Sequence, residues 1–316
     1  MRRPLLLVAA LAIATTGSPP PSAADCPDTP HRFERFALPA PALERTKQVL
    51  VYLPPGYDCA PGRRYPAFYL NDGHDLFDWN PAGADLDPAL ALEIARREAW
   101  YGSWRLDSQL DQALAARELP PLVVIGIASD DGMRSRDLAP VPWAGSDEAR
   151  GAAYGDFVAR DVVAAAEARY RLIGDRRCRG IGGASLGGVS ALATGLAHPA
   201  TFGLVLAFSP VLGDRRLADH LARLWPQGGT AQQAFLIDFD DDPVGRADLA
   251  RFRALSAAGP AERRTILLQS PGGRHAIGSW AMRVIPALTR LLPPACVAPR
   301  IRRRGAARAA GPEPRR

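Results

Sequence analysis

A serine flanked by glycines lies in residues 182–188 (GGASLGG), which contain the pattern Gly-x-Ser-x-Gly. An apolar run at residues 178–184 leads directly into Ser185, and a helical pattern at residues 186–197 leads directly out. A serine on a sharp turn between a strand and a helix is typical of a nucleophile, because such a turn holds the hydroxyl exposed and leaves room only for small neighbours. The helix would also point its first N–H groups at negative charge forming on the serine. Ser185 is therefore the candidate nucleophile.

A serine hydroxyl attacks efficiently only when a base accepts its proton, and the usual base is a histidine oriented by a carboxylate. His275 follows the last apolar run, residues 265–269, and precedes the last helical pattern. Its loop can therefore reach the sheet edge where the serine lies. The chain order in such sites is serine, acid, histidine, which His275 satisfies and His31 and His74 do not. His275 is the candidate base.

The acid should follow the apolar run at residues 234–239. Asp240, Asp241 and Asp242 all lie just past this run, where the chain can turn back towards the histidine. Residue type and spacing do not separate these three carboxylates, and the assignment stays open on these grounds.

The elements that must position these residues alternate along the chain. Uninterrupted apolar runs are typical of strands buried on both faces, and they alternate here with apolar residues at helical spacing. This alternation predicts an α/β fold with a mostly parallel sheet of about eight strands and helices on both faces. The predicted strands are residues 48–53, 65–70, 122–128, 178–184, 204–209, 234–239 and 265–269; the predicted helices are residues 106–117, 154–170, 186–197, 246–257 and 280–292, with a further one at 87–97 in an insertion.

The two ends of the chain differ from its body. Residues 1–24 are typical of an export signal, because Arg2 and Arg3 precede a short apolar stretch that ends in small residues. Residues 300–316 are rich in Arg, Ala and Pro and are expected to form a disordered tail. No linker interrupts residues 25–299, so one domain is expected there. We therefore expect an exported protein, periplasmic or secreted, without stable membrane insertion.

The formal net charge of +6 does not indicate a nucleic-acid partner. Seven arginines and one glutamate in residues 300–316 account for +6, and Arg2 and Arg3 for +2, so the part between carries −2. A body close to neutrality lacks the basic surface that phosphate backbones require.

The four cysteines are Cys26, Cys59, Cys178 and Cys296. None lies in a Cys-x-x-Cys pair, so neither a zinc site nor thioredoxin chemistry is expected. An even number of cysteines in an exported chain favours two disulfides, for which three pairings are possible.

Eight segments occur together in one order, which makes them more specific than the serine motif alone. With them the chain resembles the Putative esterase family of α/β-hydrolases, which includes enterochelin-esterase-like proteins, feruloyl esterases, S-formylglutathione hydrolases and mycolyltransferases. The resemblance covers residues 48–292. The segments are residues 51–57 (VYLPPGY), 69–77 (YLNDGHDLF), 120–127 (PPLVVIGI), 136–140 (RDLAP), 183–187 (GASLG), 198–203 (HPATFG), 209–210 (SP) and 275–280 (HAIGSW).

The resemblance implies an α/β-hydrolase fold and three site assignments. It places the triad acid at Asp242, although Asp240 stands where the family usually has glycine. It assigns the backbone N–H groups of His74 and Leu186 to an oxyanion hole. It also places Cys59 and Cys178 at one edge of the sheet, and so implies the pairs Cys59–Cys178 and Cys26–Cys296.

These observations predict a secreted serine carboxylic-ester hydrolase that uses a Ser185, His275 and Asp242 triad and an acyl-enzyme intermediate. The expected substrate is a small-molecule or polysaccharide-linked ester, and no metal or cofactor is expected. Two alternatives stay open. The same triad could transfer the acyl group to a sugar or lipid hydroxyl, or the fold could serve a non-catalytic binding protein. The sequence does not indicate the oligomeric state.

Overall fold

The computed structural model describes residues 29–78, 95–96, 102–130, 132–143, 146–230, 232–259 and 263–296. The strands within this part of the chain are β1 (Arg32–Ala40), β2 (Arg45–Leu53), β3 (Ala67–Asn71), β4 (Val123–Ile127), β5 (Arg179–Ala184), β6 (Leu204–Phe208), β7 (Ala234–Asp240) and β8 (Arg264–Ser270). They form one eight-stranded sheet in the order β1-β2-β4-β3-β5-β6-β7-β8. The last six strands in this order, from β4 through β3 to β8, are parallel to one another. Strand β2 is antiparallel to β4, and β1 is antiparallel to β2.

The described helices connect these strands and cover both faces of the sheet. They are α1 (Leu106–Ala115), α2 (Arg134–Leu138), α3 (Gly151–Phe157), α4 (Val163–Arg169), α5 (Leu186–Ala197), α6 (Arg215–Gln227), α7 (Pro243–Ser256) and α8 (Ile277–Leu291). A π-helical turn, Val158–Val162, joins α3 to α4 without a break. Helices α1 and α8 pack on one face, and α3 to α7 pack on the other.

The alternation of side chains along the strands explains these two layers. In β2, Val49 and Val51 enter one core, whereas Leu50 and Tyr52 enter the other. A strand buried on both faces must be apolar at every position, which is why these strands are continuous apolar runs. The mostly parallel sheet with helices on both faces is thus confirmed.

The strand that sequence reasoning missed is β1, at the edge of the sheet. Its residues, RFERFALPA, are mostly exposed or half-buried. Charged residues stand among its apolar ones, so the run lacks the continuous apolar pattern of the inner strands. The predicted signal at residues 1–24, the tail at 300–316 and most of the helix at 87–97 lie outside the described residues.

The pairing of the cysteines differs from the expectation. Cys178 is bonded to Cys296, with their Cα atoms 5.5 Å apart. The expected pairs Cys59–Cys178 and Cys26–Cys296 are therefore wrong. The chain after α8 returns to the edge of the sheet where β5 begins, and its last described turn, Pro294–Cys296, packs there. Cys26 lies outside the described residues.

We expect replacement of both Cys178 and Cys296 by alanine to lower the free energy of unfolding by about 2–5 kcal/mol. The disulfide closes a loop of 118 residues, so its loss gives the unfolded chain much more freedom. Denaturation in guanidinium measures the change. Turnover should stay unchanged, because Ser185 lies at the opposite end of β5; a loss of activity in the folded variant would contradict this expectation.

Within the described residues, no helix combines the length and the apolar character needed to cross a bilayer.

Candidate active site

The turn that carries Ser185 joins the end of β5 to the start of α5. Ser185 has φ 58° and ψ −124°, a conformation that side-chain-bearing residues rarely adopt. Its N–H donates to the carbonyl of Phe208 at 2.9 Å, which fixes the turn against β6. A Cβ at Gly183 would lie 2.6 Å from the carbonyl oxygen of Gly187, so the glycine is required there. The geometry is that of a nucleophile elbow.

His275 lies in the loop between β8 and α8 and reaches the serine. Its Nε2 is 2.9 Å from Ser185 Oγ, a hydrogen-bond distance. The imidazole ring packs edge-to-face against Trp280, with 5.0 Å between ring centroids. The side chain is 37% exposed, so the pair is open to solvent. The structure thus brings together the two residues that the sequence identified first.

The carboxylate on the other side of the imidazole is that of Asp240. Its Oδ2 is 3.3 Å from His275 Nδ1, and the side chain is only 1% exposed. With Nδ1–H directed at a carboxylate, Nε2 carries the lone pair that can accept the proton of Ser185. The serine, the imidazole and the carboxylate therefore stand in the order that nucleophilic catalysis requires.

The expectation that Asp242 faces His275 is corrected by this geometry. Asp242 is the N-cap of α7, and its carboxylate accepts the N–H of Gly245 at 2.7 Å. Asp241 points elsewhere too, towards Arg246 at 3.2 Å. Asp240 is the last residue of β7, so its side chain is fixed by the sheet, whereas Asp242 already belongs to the helix.

Arg283, on α8, holds the Asp240 carboxylate: its Nη2 donates to Oδ1 at 2.7 Å. Burial alone would raise the pKa of Asp240, but the contacts with His275 and Arg283 help to outweigh burial and lower it. The carboxylate is thus kept ionised beside the histidine.

Trp280, which packs against the imidazole, is itself fixed by Ser209, the residue after β6. The indole Nε1–H donates to Ser209 Oγ at 2.9 Å. This hydrogen bond holds the indole in place beside His275. Sequence reasoning missed Arg283 because it lies 43 residues after Asp240 in the chain and on a different element.

The two expected oxyanion donors lie on adjoining segments. Leu186 is the first residue of α5, where the backbone N–H groups have no partner within the helix. His74 lies in the turn Gly73–Asp75 that follows β3. The Asn71 side chain donates to the carbonyl of Gly187 at 2.8 Å and so ties this turn to the elbow.

The side chain of His74 is buried beneath the same turn. Its Nδ1 accepts the N–H of Ser129 at 3.2 Å, which places the ring proton on Nε2, 3.2 Å from Asp75 Oδ1. This ring is therefore part of the packing, and the expected contribution of His74 comes from its backbone. Within the described residues no group of three or more His, Cys, Asp or Glu side chains is placed to hold a metal ion.

A partly buried ion pair supports the turn that carries His74. Asp72 has a left-handed backbone, with φ 58°, and its carboxylate accepts two hydrogen bonds from Arg134, at 2.7 and 2.8 Å. Ser129 adds a third at 2.7 Å. Burial alone would raise the pKa of Asp72, but the charge of Arg134 and these hydrogen bonds lower it.

We expect Arg134→Met to lower the free energy of unfolding by about 2–4 kcal/mol, because it leaves the Asp72 charge buried without its cation. The turnover of the folded fraction should fall as well, since the turn loses its anchor. Chemical denaturation and ester hydrolysis measure the two effects. Arg136→Met is the matched control: Arg136 pairs with the half-exposed Glu148, and its loss should cost less than about 1 kcal/mol. Equal effects in both variants would show that the ion pair does not support the turn.

The fold is shared with solved structures of low sequence identity. A ferulic acid esterase matches with a TM-score of 0.60 and 17% identity over 84% of this chain and 98% of its own. The enterobactin esterase FES from Shigella flexneri matches with a TM-score of 0.62 and 19% identity over 86% of this chain and 63% of its own. An IroE-like serine hydrolase from Shewanella oneidensis has a TM-score of 0.58 and 17% identity over 83% and 80% of the two chains. The expected α/β-hydrolase fold is thereby confirmed.

Relatives by sequence include two uncharacterized proteins of Bacillus subtilis (strain 168). YjcH is 26% identical over 168 residues, 53% of this chain, and YbbA is 26% identical over 194 residues, 59% of this chain. These matches span 57% and 65% of the relatives' own lengths. A family model described as Putative esterase matches residues 40–276, well over half of the chain. The protein therefore belongs to the Putative esterase family.

Proposed function

We propose that the protein is a serine carboxylic-ester hydrolase. The observation that carries this proposal is the line of contacts from Ser185 Oγ to His275 Nε2, at 2.9 Å, and from His275 Nδ1 to Asp240, at 3.3 Å. Family membership and the esterase names of the similar structures support it. The triad of this proposal is Ser185, His275 and Asp240.

The first half of the reaction forms an acyl enzyme. Ser185 Oγ attacks the ester carbonyl carbon while its proton passes to His275 Nε2, and the carbonyl π electrons move to the oxygen. Asp240 stabilises the imidazolium that results. The N–H groups of Leu186 and His74 are the proposed donors to the oxyanion. When the tetrahedral intermediate collapses, the ester C–O bond breaks and His275 protonates the departing alcohol.

The second half releases the acid. His275 takes a proton from water, the hydroxide oxygen bonds to the acyl carbon, and collapse of this second intermediate returns the proton to Ser185 Oγ. The proposed substrates are small-molecule or polysaccharide-linked esters. The names of the similar structures include esterases for ferulic acid and for enterobactin, and a shared fold does not choose between such substrates.

Export belongs to the proposal as well. The Cys178–Cys296 disulfide supports it, because stable disulfides are typical of oxidising compartments. Residues 1–24 are the proposed signal peptide, residues 25–299 the hydrolase domain, and residues 300–316 a basic tail. The N-terminal sequence of protein recovered from the periplasm or medium tests the cleavage: an intact Met1 would contradict it.

The proposed activity is tested with p-nitrophenyl acetate and butyrate and with a fluorophosphonate that labels activated serines. We expect turnover of both esters and stoichiometric labelling that peptide mapping assigns to Ser185. Folded protein that neither turns over nor takes up the label would contradict the proposal and favour a binding role. Label on Ser185 with acyl product formed mainly when a sugar or lipid alcohol is added would favour acyl transfer.

A further inference from the structure

A second buried carboxylate lies beside the triad acid. Asp238 precedes Asp240 by two residues in β7, and residues two apart in a strand point to the same face. Asp238 is 2% exposed, so two carboxylates share one dry region under the histidine. Ser270 donates to Asp238, with its Oγ 2.8 and 2.9 Å from the two carboxylate oxygens.

One guanidinium lies between these two carboxylates. Arg283 Nη2 is 2.7 Å from Asp240 Oδ1, and its Nη1 is 3.3 Å from Asp238 Oδ1. The Arg283 side chain is 10% exposed. Its Nε donates to the carbonyl of Ser279 at 3.0 Å, which fixes the guanidinium on α8. The cation is therefore held rigidly where both negative charges converge.

A further charge near the histidine comes from α7. Asp248 is buried and interacts electrostatically with His275, but it has its own ion pair with Arg251 at 2.9 Å. Arg283 is thus the cation that directly contacts both β7 carboxylates among the described residues. Burial raises the pKa of Asp238, and the charge of Arg283 is the largest effect opposing that rise.

We propose that Arg283 is a positioning residue. It balances the negative charge of Asp238 and fixes Oδ1 of Asp240, so that the Asp240 carboxylate stays ionised and its Oδ2 stays aligned with His275. This inference rests on the proposed hydrolase function. With Arg283 present, the two carboxylates and the guanidinium carry one net negative charge, which the imidazolium balances during catalysis. Without Arg283 the same region carries two, and both Asp240 and His275 bind protons more readily.

Four variants separate the charge of Arg283 from its hydrogen bonds. Arg283→Gln removes the charge and the guanidinium's paired contacts to the two carboxylates, and Arg283→Lys keeps the charge without the planar fork. Asp238→Asn combined with Arg283→Gln restores one net negative charge. Arg290→Gln, in the last turn of the same helix, is the matched control, because Arg290 is exposed and contacts no carboxylate within the described residues.

The measurement is kcat and KM for p-nitrophenyl butyrate across pH. We expect Arg283→Gln to lower kcat about 10- to 100-fold, part of what general-base catalysis contributes, with little change in KM. The acidic limb of the profile should move to higher pH by about one unit, because a cation near the base is lost. In the double variant the acidic limb should move back towards its wild-type pH, because one net negative charge is restored. Its kcat should stay low, because Asp240 still lacks the guanidinium. Arg283→Lys should keep the original limb with an intermediate kcat, and Arg290→Gln should match the wild type.

The inference would be overturned if Arg283→Gln left both kcat and the acidic limb of the pH profile unchanged. It would also be overturned if Arg283→Lys moved the acidic limb as far as Arg283→Gln does, or if the double variant did not move the limb back. If Arg283→Gln does not fold, Arg283→Lys is the deciding variant. It keeps the positive charge without the planar fork, so kcat should still fall while the acidic limb stays in place; an unchanged kcat would overturn the inference.

Failure of this inference and failure of the hydrolase proposal look different. Wild-type protein without turnover, and without fluorophosphonate on Ser185, contradicts the hydrolase proposal before any Arg283 variant is made. If the wild type turns over and Ser185 is labelled, but Arg283→Gln has the kcat and the pH profile of the wild type, the positioning role is contradicted and the hydrolase proposal stands.

Discussion

Ser185→Ala should lower kcat for p-nitrophenyl butyrate by about a million-fold, the scale of loss when the nucleophile of a triad is removed. The remaining groups can still bind the ester and polarise its carbonyl, but no hydroxyl is left to form the acyl enzyme. Stability should change little, because alanine keeps the Cβ and the backbone hydrogen bond of the elbow does not involve the side chain. Steady-state hydrolysis, fluorophosphonate labelling and thermal unfolding of the same preparation measure this.

Ser190→Ala is the matched control for that loss. Ser190 is a buried serine on α5, the helix that Ser185 precedes, and its hydroxyl has no hydrogen-bond partner within the described residues. Its replacement should leave kcat within about two-fold of the wild type, since a lone hydroxyl contributes little to packing. Residual activity of Ser185→Ala close to that of Ser190→Ala would place the nucleophile elsewhere.

The sequence was sufficient for the parts of the fold and site that local pattern determines. The inner strands are apolar at every position, and α5 was predicted with its observed bounds, Leu186–Ala197, because the elbow marks its start. The proximity of Ser185 and His275 was predictable for a related reason. Each stands at the junction of a strand and a helix, where the parallel sheet brings loop residues to one edge.

Contacts that depend on strand register, or on the path of the chain after a helix, could not be predicted from the sequence. Asp240 lies opposite Ser270 in the β7–β8 pairing, and Arg283 reaches Asp240 from a helix that begins 37 residues later. The disulfide shows the same limit, because the partner of Cys178 depends on where the chain goes after α8. Neither pairing leaves a periodic signal in the sequence.

One local signal for the acid was nevertheless present. Asp242 is followed by Pro243 and then a helical pattern, and an aspartate before a proline at the first helical position is typical of an N-cap. The structure has this cap, with the carboxylate on the N–H of Gly245. A capping carboxylate has its acceptor directed at the helix, so this signal favoured Asp240 or Asp241 over Asp242.

Asp240→Asn should therefore lower kcat about 10³- to 10⁴-fold, whereas Asp242→Asn should leave it within about two-fold. An amide at residue 240 can donate to His275 Nδ1, which favours the tautomer whose Nε2 carries a proton and cannot accept one from Ser185. A 10⁴-fold loss corresponds to about 5.4 kcal/mol of transition-state stabilisation. Asparagine caps a helix about as well as aspartate, so Asp242→Asn should keep its stability too. Hydrolysis rates of the two folded variants measured side by side decide the assignment. The reverse order, with Asp242→Asn the damaged variant, would return the acid to Asp242 and require the β7–α7 loop to rearrange during catalysis.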